Sequence, residues 1–255
     1  MKILHIFDHS VPYFSGYTFR SGYILSNQRK QGFTPLVLTS LKQERQQALK
    51  ETLDGQDYYR TPHFENPVTK MIFRCPLLGE IFHMQRLYQR ILSLRREESF
   101  DLIHAHSPAL NGFPALRAAR SLGLPMVYEI RAFWEDAGVD LGTYTSERSL
   151  KYKSVHRFET YLCNRADGLT TICEGLKKDL LGRGVDPDKI TVIPNGVESG
   201  RFLPQPRDGK LTQALELEPG KVIGFIGSFY DYEGLDLLLT AFSPVSYTHL
   251  TLPTN

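Results

Sequence analysis

Cysteine is scarce, long apolar runs are missing and neither sign of charge dominates. The 255 residues hold three cysteines, Cys75, Cys163 and Cys173, with no C-x-x-C spacing. That excludes a disulfide-built scaffold and a zinc knuckle, and it suits a reducing compartment. No apolar run approaches the ~18 residues needed to span a bilayer. The opening MKILHIFDHS is interrupted by His5 and Asp8 and reads as a first strand rather than a signal peptide. Thirty basic against 28 acidic side chains leave +2, which argues neither way about nucleic acid, and none is expected as a partner. Three fingerprints are also missing: the P-loop, the G-x-G-x-x-G of dinucleotide binders after the first strand, and the G-x-S-x-G elbow. A P-loop kinase, a dehydrogenase and a hydrolase of the elbow class are thereby disfavoured.

What is present is alternation. With 41% apolar and 23% charged residues, the chain can bury a sizeable core. Strand-like runs at 2–7, 35–39, 101–105, 125–130, 168–173 and 189–193 alternate with helical periods at 18–31, 80–98, 112–122, 146–165 and 174–182. Ile81, Leu87, Ile91 and Leu94 mark one side of the helix at 80–98. The stretch 40–78, with Pro62, Pro67 and Pro76, reads as a long loop with at most short elements. Strands apolar on both faces imply a Rossmann-like, doubly wound parallel sheet covered by helices, in an α/β protein. This first domain spans 1–194. A Pro-, Gly- and charge-rich linker at 195–210 leads to an incomplete second Rossmann-like domain at 211–242, with a helix at 211–217, a strand at 221–227 and a helix at 233–242. The tail 243–255, SPVSYTHLTLPTN, breaks the helical pattern at Pro244 and is read as non-native, and the chain as truncated.

Candidate site residues gather after strands. Ser15-Gly16, following the first strand and opening a helix, suits either a phosphate or sugar cradle or a turn that needs glycine. His104 and His106 end the 101–105 strand, where open α/β sheets bind ligands. At i and i+2 they share a strand face, but no third metal ligand stands at usable spacing. His104 is read as a satisfied core residue and His106, further out, as the one that contacts substrate. Glu129, Arg131, Trp134, Glu135 and Asp136 crowd the end of the next strand. An aromatic ring beside carboxylates grips sugar, and Arg131 can hold a phosphate bidentately; a self-neutralised surface loop is the alternative. Asn195-Gly196 after Pro194 reads alone as an ordinary turn. The helix at 146–165 carries Arg148, Lys151, Lys153, Arg157 and Arg165, so it either rests on anionic lipid or is a solvated face.

Taken together, DLIHAHS (101–107), TTICEGLKKDL (170–180), VIPNGVESGRF (192–202) and GFIGSFYDYEGLDLLL (224–239) resemble family 4 glycosyltransferases of the GT-B fold. HSVPYFSGYTFRSGYIL and YEIRAFWED are similar to bacterial members associated with exopolysaccharide and exosortase clusters. The resemblance implies transfer of a sugar from a nucleotide-sugar donor to a glycan or lipid-linked acceptor, with retention, without a metal and with no other cofactor. Such a protein would work in the cytoplasm, at most peripheral to the inner membrane face. His106 would sit by the reacting sugar. Gly16 would approach the donor, Ser228 would keep one hydrogen bond to it, and Asn195 would shape the hinge. Ser15, Glu129, Arg131 and Trp134 would face the acceptor. Two departures stand out. Ser228 and Glu233 occupy places where many members carry the Arg and Lys that clamp the diphosphate. No two glutamates are eight positions apart, so the E-x7-E motif is missing and the chain as written is expected not to turn over. Two other readings are a nucleotide-sugar 2-epimerase of the same fold and a non-catalytic glycan-binding domain.

Overall fold

The computed structural model describes residues 1–43, 48–63, 71, 75–140, 142, 146–217, 220, 222–227, 229 and 233–242. Ser228 and the tail 243–255 lie outside them. The chain forms two compact units, Met1–Gly196 and Val197–Asn255.

In the first unit, β1 (Lys2–Phe7) leads to α1 (Gly16–Lys30), and β2 (Thr34–Thr39) is followed by β3 (Lys50–Leu53) and β4 (Gln56–Arg60). Then come α2 (Pro76–Glu97), β5 (Leu102–His106), α3 (Ala109–Leu122) and β6 (Met126–Ile130). After α4 (Trp134–Asp140) and α5 (Leu150–Arg165), β7 (Gly168–Thr171), α6 (Glu174–Gly182) and β8 (Ile190–Val192) finish the unit. The eight strands form one sheet in the order β3-β4-β2-β1-β5-β6-β7-β8. All pairs are parallel except β3 with β4. From β1 the order runs outward to β2 and then returns to β5 on the other side. The reversal lies between β1 and β5, the kind of place at which open α/β sheets bind ligands beyond the carboxyl ends of their strands.

Core packing explains the strands. β1 buries all but its first residue, as parallel strands covered on both faces do. Leu4, Ile6, Leu38, Ile103, Met126 and Tyr128 are buried with Leu87, Ile91 and Leu94 of α2. The expectation that Ile81 shares that helical stripe fails, because it is 51% exposed. Six residues at 100° each put it about 120° around the helix from Leu87.

Within the stretch 40–78, read as a loop with at most short elements, the described residues hold two short strands. β3 and β4 form a hairpin, and β4 pairs with β2 through Tyr58, Tyr59 and Arg60. Gln56-Asp57-Tyr58-Tyr59-Arg60 hides its strand character behind polar residues. The Arg60 side chain is fully buried, yet it donates to Glu51 Oε2 at 2.7 Å, Ser10 Oγ at 2.6 Å and the Val11 carbonyl at 2.9 Å. Those partners offset the cost of burying its charge. α4 is not among the helical periods read from the sequence.

The second unit carries α7 (Gly209–Ala214), capped by Asp208, which accepts from the Lys210 and Leu211 amides, and α8 (Leu235–Phe242). The strand expected at 221–227 is not formed over the described residues 222–227. A parallel strand needs hydrogen-bonding neighbours, and among the described residues none pairs with this segment. Ile223 and Ile226 stand exposed.

Candidate active site

The site is built where β1, β5 and β6 end. Register places His5 of β1 beside His104 of β5, and His106 of β5 beside Glu129 of β6. Alternation along a strand therefore sets His5, His104, His106 and Glu129 on one sheet face, over which α1 runs.

Their hydrogen bonds have one consistent direction. Arg131 Nη2 lies 2.8 Å from His106 Nδ1, and a guanidinium only donates, so that nitrogen is the acceptor. His106 Nε2 then carries the proton and donates to His5 Nδ1 at 3.0 Å. His5 Nε2 donates in turn to Gln28 Oε1 at 2.8 Å. Both rings are neutral in this chain. Burial, reinforced by the His104 ring, lowers His5 to about 3 and takes His106 well below its ordinary value.

The trio of His5, His104 and His106 bears on metal binding. Their ring nitrogens lie within 4.8 Å of one another, so β1 supplies the third nitrogen that the sequence reading did not find. The surroundings nevertheless fit a cation poorly. Binding through His106 Nε2 would require the proton on Nδ1, where Arg131 already donates.

Glu129 anchors the charges. Its Oε1 accepts from Arg20 Nε at 3.0 Å and Arg131 Nε at 2.8 Å, with its side chain almost wholly buried. Burial works against its charge. The Arg131 guanidinium on its Oε1 opposes burial, and the carboxyl stays well below the usual range. Arg131 also donates to the Tyr17 carbonyl at 2.9 Å and Ser21 Oγ at 3.1 Å, and stacks 4.0 Å from the Tyr17 ring centroid. Its donors are thus committed within the protein.

The expectation that His106 lies further out than His104 fails, since both rings are buried and His106 is the deeper. His106 is fully buried with both nitrogens engaged, whereas His104 Nε2 has no hydrogen-bond partner and lies 3.5 Å from Glu129 Oε2. The crowded segment after β6 divides by sides. Glu129 faces the site and Trp134 is 47% exposed. Asp136 accepts from the Tyr152 hydroxyl, and Glu135 is buried against Arg183. The reading as a surface loop fails for Glu129 and Glu135.

At the mouth, Ser15 caps α1 and its Oγ accepts from the Thr18 amide. Gly16, the first residue of the helix, is exposed with open space around its Cα. The Ser15 hydroxyl is 2.8 Å from His9 Nε2, and His9 Nδ1 lies 3.6 Å from Asp8 Oδ2. Asp8 in turn receives Asn111 Nδ2 at 3.2 Å. Asn195 meets Arg20 Nη1 through its Oδ1 at 3.0 Å.

Sequence reasoning missed His5, Asp8, His9, Arg20 and Gln28. One signal was legible: Arg20 stands four positions after Gly16 on α1, one turn along the same face. The others depend on strand register.

A parallel sheet with a polar, charge-paired cluster at its switch point is the frame of a Rossmann-like binding domain. The chain belongs to glycosyltransferase family 4, whose model, described as Glycosyltransferase Family 4, matches residues 23–201. A GDP-mannose-dependent alpha-mannosyltransferase of Mycolicibacterium smegmatis is 22% identical over 89% of this chain and 56% of its own length. The phosphatidylinositol N-acetylglucosaminyltransferase GPI3 subunit of Saccharomyces cerevisiae is 23% identical over 97% of this chain and 50% of its own. The chain thus spans about half the length of the curated relatives it matches. Among solved structures, sucrose-phosphate synthase from Thermosynechococcus elongatus superposes with a TM-score of 0.69 at 14% identity, covering 96% of this chain and 60% of that one. Anabaena HepE, solved with UDP and glucose, gives 0.62 at 16%, covering 96% and 58%. These likenesses show the GT-B glycosyltransferase fold. No helix among the described residues is long and apolar enough to cross a membrane.

Proposed function

We propose that this chain is the acceptor-side part of a retaining glycosyltransferase that moves a sugar from a nucleotide-sugar donor to a glycan or lipid-linked acceptor in cell-surface polysaccharide synthesis. The observation that carries the reading is the family match over residues 23–201, centred on a switch-point cluster of neutral histidines and charge-paired arginines. Support for the donor class comes from the names of similar proteins, one dependent on GDP-mannose and one solved with UDP and glucose. The reaction is read as metal-independent, in keeping with Arg131 donating to His106.

In this reading the exposed start of α1 meets the donor, because backbone N–H groups and the helix dipole favour an anion there. Ser15 and Trp134 reach the acceptor. Glu129, Arg131 and His106, buried and mutually bonded, hold the frame. Stabilising a nucleoside diphosphate as it leaves is electrostatic work. Action at the cytoplasmic membrane face, with α5 against anionic lipid, belongs to the same reading.

The test is a screen of UDP-, GDP- and ADP-sugars with the full-length gene product, with transfer read by mass spectrometry. Sugar transferred with its anomeric configuration kept, and undiminished by EDTA, is the expected result. Hydrolysis only, inversion or chelator sensitivity would each overturn the corresponding part.

A further inference from the structure

Arg20 has so far entered only as a partner of Glu129 and Asn195, yet its guanidinium makes four hydrogen bonds. Nε donates to Glu129 Oε1 at 3.0 Å, Nη1 to the Pro194 carbonyl at 3.1 Å and to Asn195 Oδ1 at 3.0 Å, and Nη2 to the Ile193 carbonyl at 2.8 Å. Its side chain is 11% exposed, although Ile193, Pro194 and Asn195 lie at the surface. Beyond β8, Ile193 has one backbone tether, its amide donating to the Thr171 carbonyl at 2.7 Å. Among the described residues, no side chain other than Arg20 hydrogen-bonds residues 193–195.

We infer that Arg20 is a latch that fixes the direction in which the polypeptide leaves the first unit, which makes it a positioning residue for the transfer reaction. The chemistry suits the task. Two successive carbonyls, an amide oxygen and a carboxylate present four acceptors in different directions. A planar guanidinium meets all four at once, whereas an ammonium is a point donor. Glu129 fixes the inner end of the fork, because its own position is set by Arg131 on the opposite side. α1 is thereby joined through one side chain to the exit of the chain, three residues or fewer from the boundary at Gly196. The claim about transfer rests on the glycosyltransferase reading; the claim about the latch does not.

The experiment compares Arg20→Lys and Arg20→Met with the unaltered protein. Lysine keeps a charge for Glu129 and is the variant most certain to fold, whereas methionine removes the charge as well. Amide exchange at Ile193 is followed by NMR or mass spectrometry, with the amides of β6 as the internal control. The expected result for Arg20→Lys is about 10-fold faster exchange at Ile193, the size of losing one charge-assisted hydrogen bond, with β6 unchanged. In the full-length gene product the same variant is expected to lower kcat by about 10-fold with donor KM changed less than about 3-fold, since only orientation is lost. Unchanged exchange at Ile193 would overturn the latch. Faster exchange with unchanged kcat would overturn the positioning role. Where the unaltered protein transfers no sugar, the glycosyltransferase reading fails, and the exchange arm still decides the latch.

Discussion

Around Glu129 one carboxylate collects two guanidiniums, whereas around Arg183 one guanidinium serves two carboxylates, and the two clusters behave in opposite ways. In the first, Arg20 and Arg131 share Glu129 Oε1 and the carboxyl stays ionised. In the second, Arg183 donates to Glu135 Oε1 at 2.7 Å and to the Asp179 carboxylate, and sits 3.6 Å over the Phe133 ring. Glu159 is left to the Tyr128 hydroxyl at 2.6 Å. Burial, with Glu135 adding to it, pushes Glu159 up to about 7. Depth is similar in both places, so the ratio of cations to anions decides which carboxyl keeps its charge. The site cluster is the one with cations to spare.

Breaking the first cluster has the largest expected effect. Glu129→Gln leaves two guanidiniums without a counter-charge and is expected to cost about 3–5 kcal/mol. Urea unfolding checks this, and an unchanged midpoint would show that the arginines find other partners. In the second cluster the sign reverses with pH. A carboxyl raised to about 7 in the folded state binds its proton more tightly there than in the unfolded chain. Its contribution is full below the unfolded value and is lost as pH rises to about 7. Glu159→Gln, which mimics the protonated form, is therefore expected to stabilise the protein by roughly 2–3 kcal/mol at pH 8 and to be near neutral at pH 4. A gain that does not vary with pH would contradict the assignment.

Smaller substitutions sharpen the same contrast. A Cβ added at Gly112 of α3 would stand 2.8 Å from Tyr128 Cε2, the ring that bonds Glu159. Gly112→Ala is expected to cost about 1–3 kcal/mol by overpacking, seen as a lower melting temperature, with a smaller cost implying that Tyr128 can move aside. Trp134→Ala, next to buried Glu135 but half exposed itself, is expected to change stability by less than about 0.5 kcal/mol. On the proposed acceptor-side role, the same substitution raises acceptor KM and leaves donor KM unchanged, read by initial rates of sugar transfer.

Much of the frame was legible because covered parallel strands are written as largely apolar runs. KILHIF, LIHAH and MVYEI carry that signature, and the helices between them show their periods. The β3–β4 hairpin was not legible, because Arg60 belongs in a core only when Glu51, Ser10 and Val11 come to meet it. His104 and His106 were legible as a pair, but their ranking was not. Position along a strand does not tell which ring α1 covers, nor that Arg131 occupies His106 Nδ1.

By itself the sequence determined the doubly wound α/β class, the family signature and the strand ends at which polar residues gather, since these follow from local periodicity and motif. The tertiary structure alone decided which polar residues face one another. Strand register set His5 beside His104 and His106 beside Glu129, and the reversal at β1 and β5 brought α1 over them. Arg20 and Asn195, 175 positions apart, meet only after the whole sheet has formed. Charge states and tautomers are properties of such meetings, because burial and a partner a few ångströms away outweigh anything a side chain carries alone.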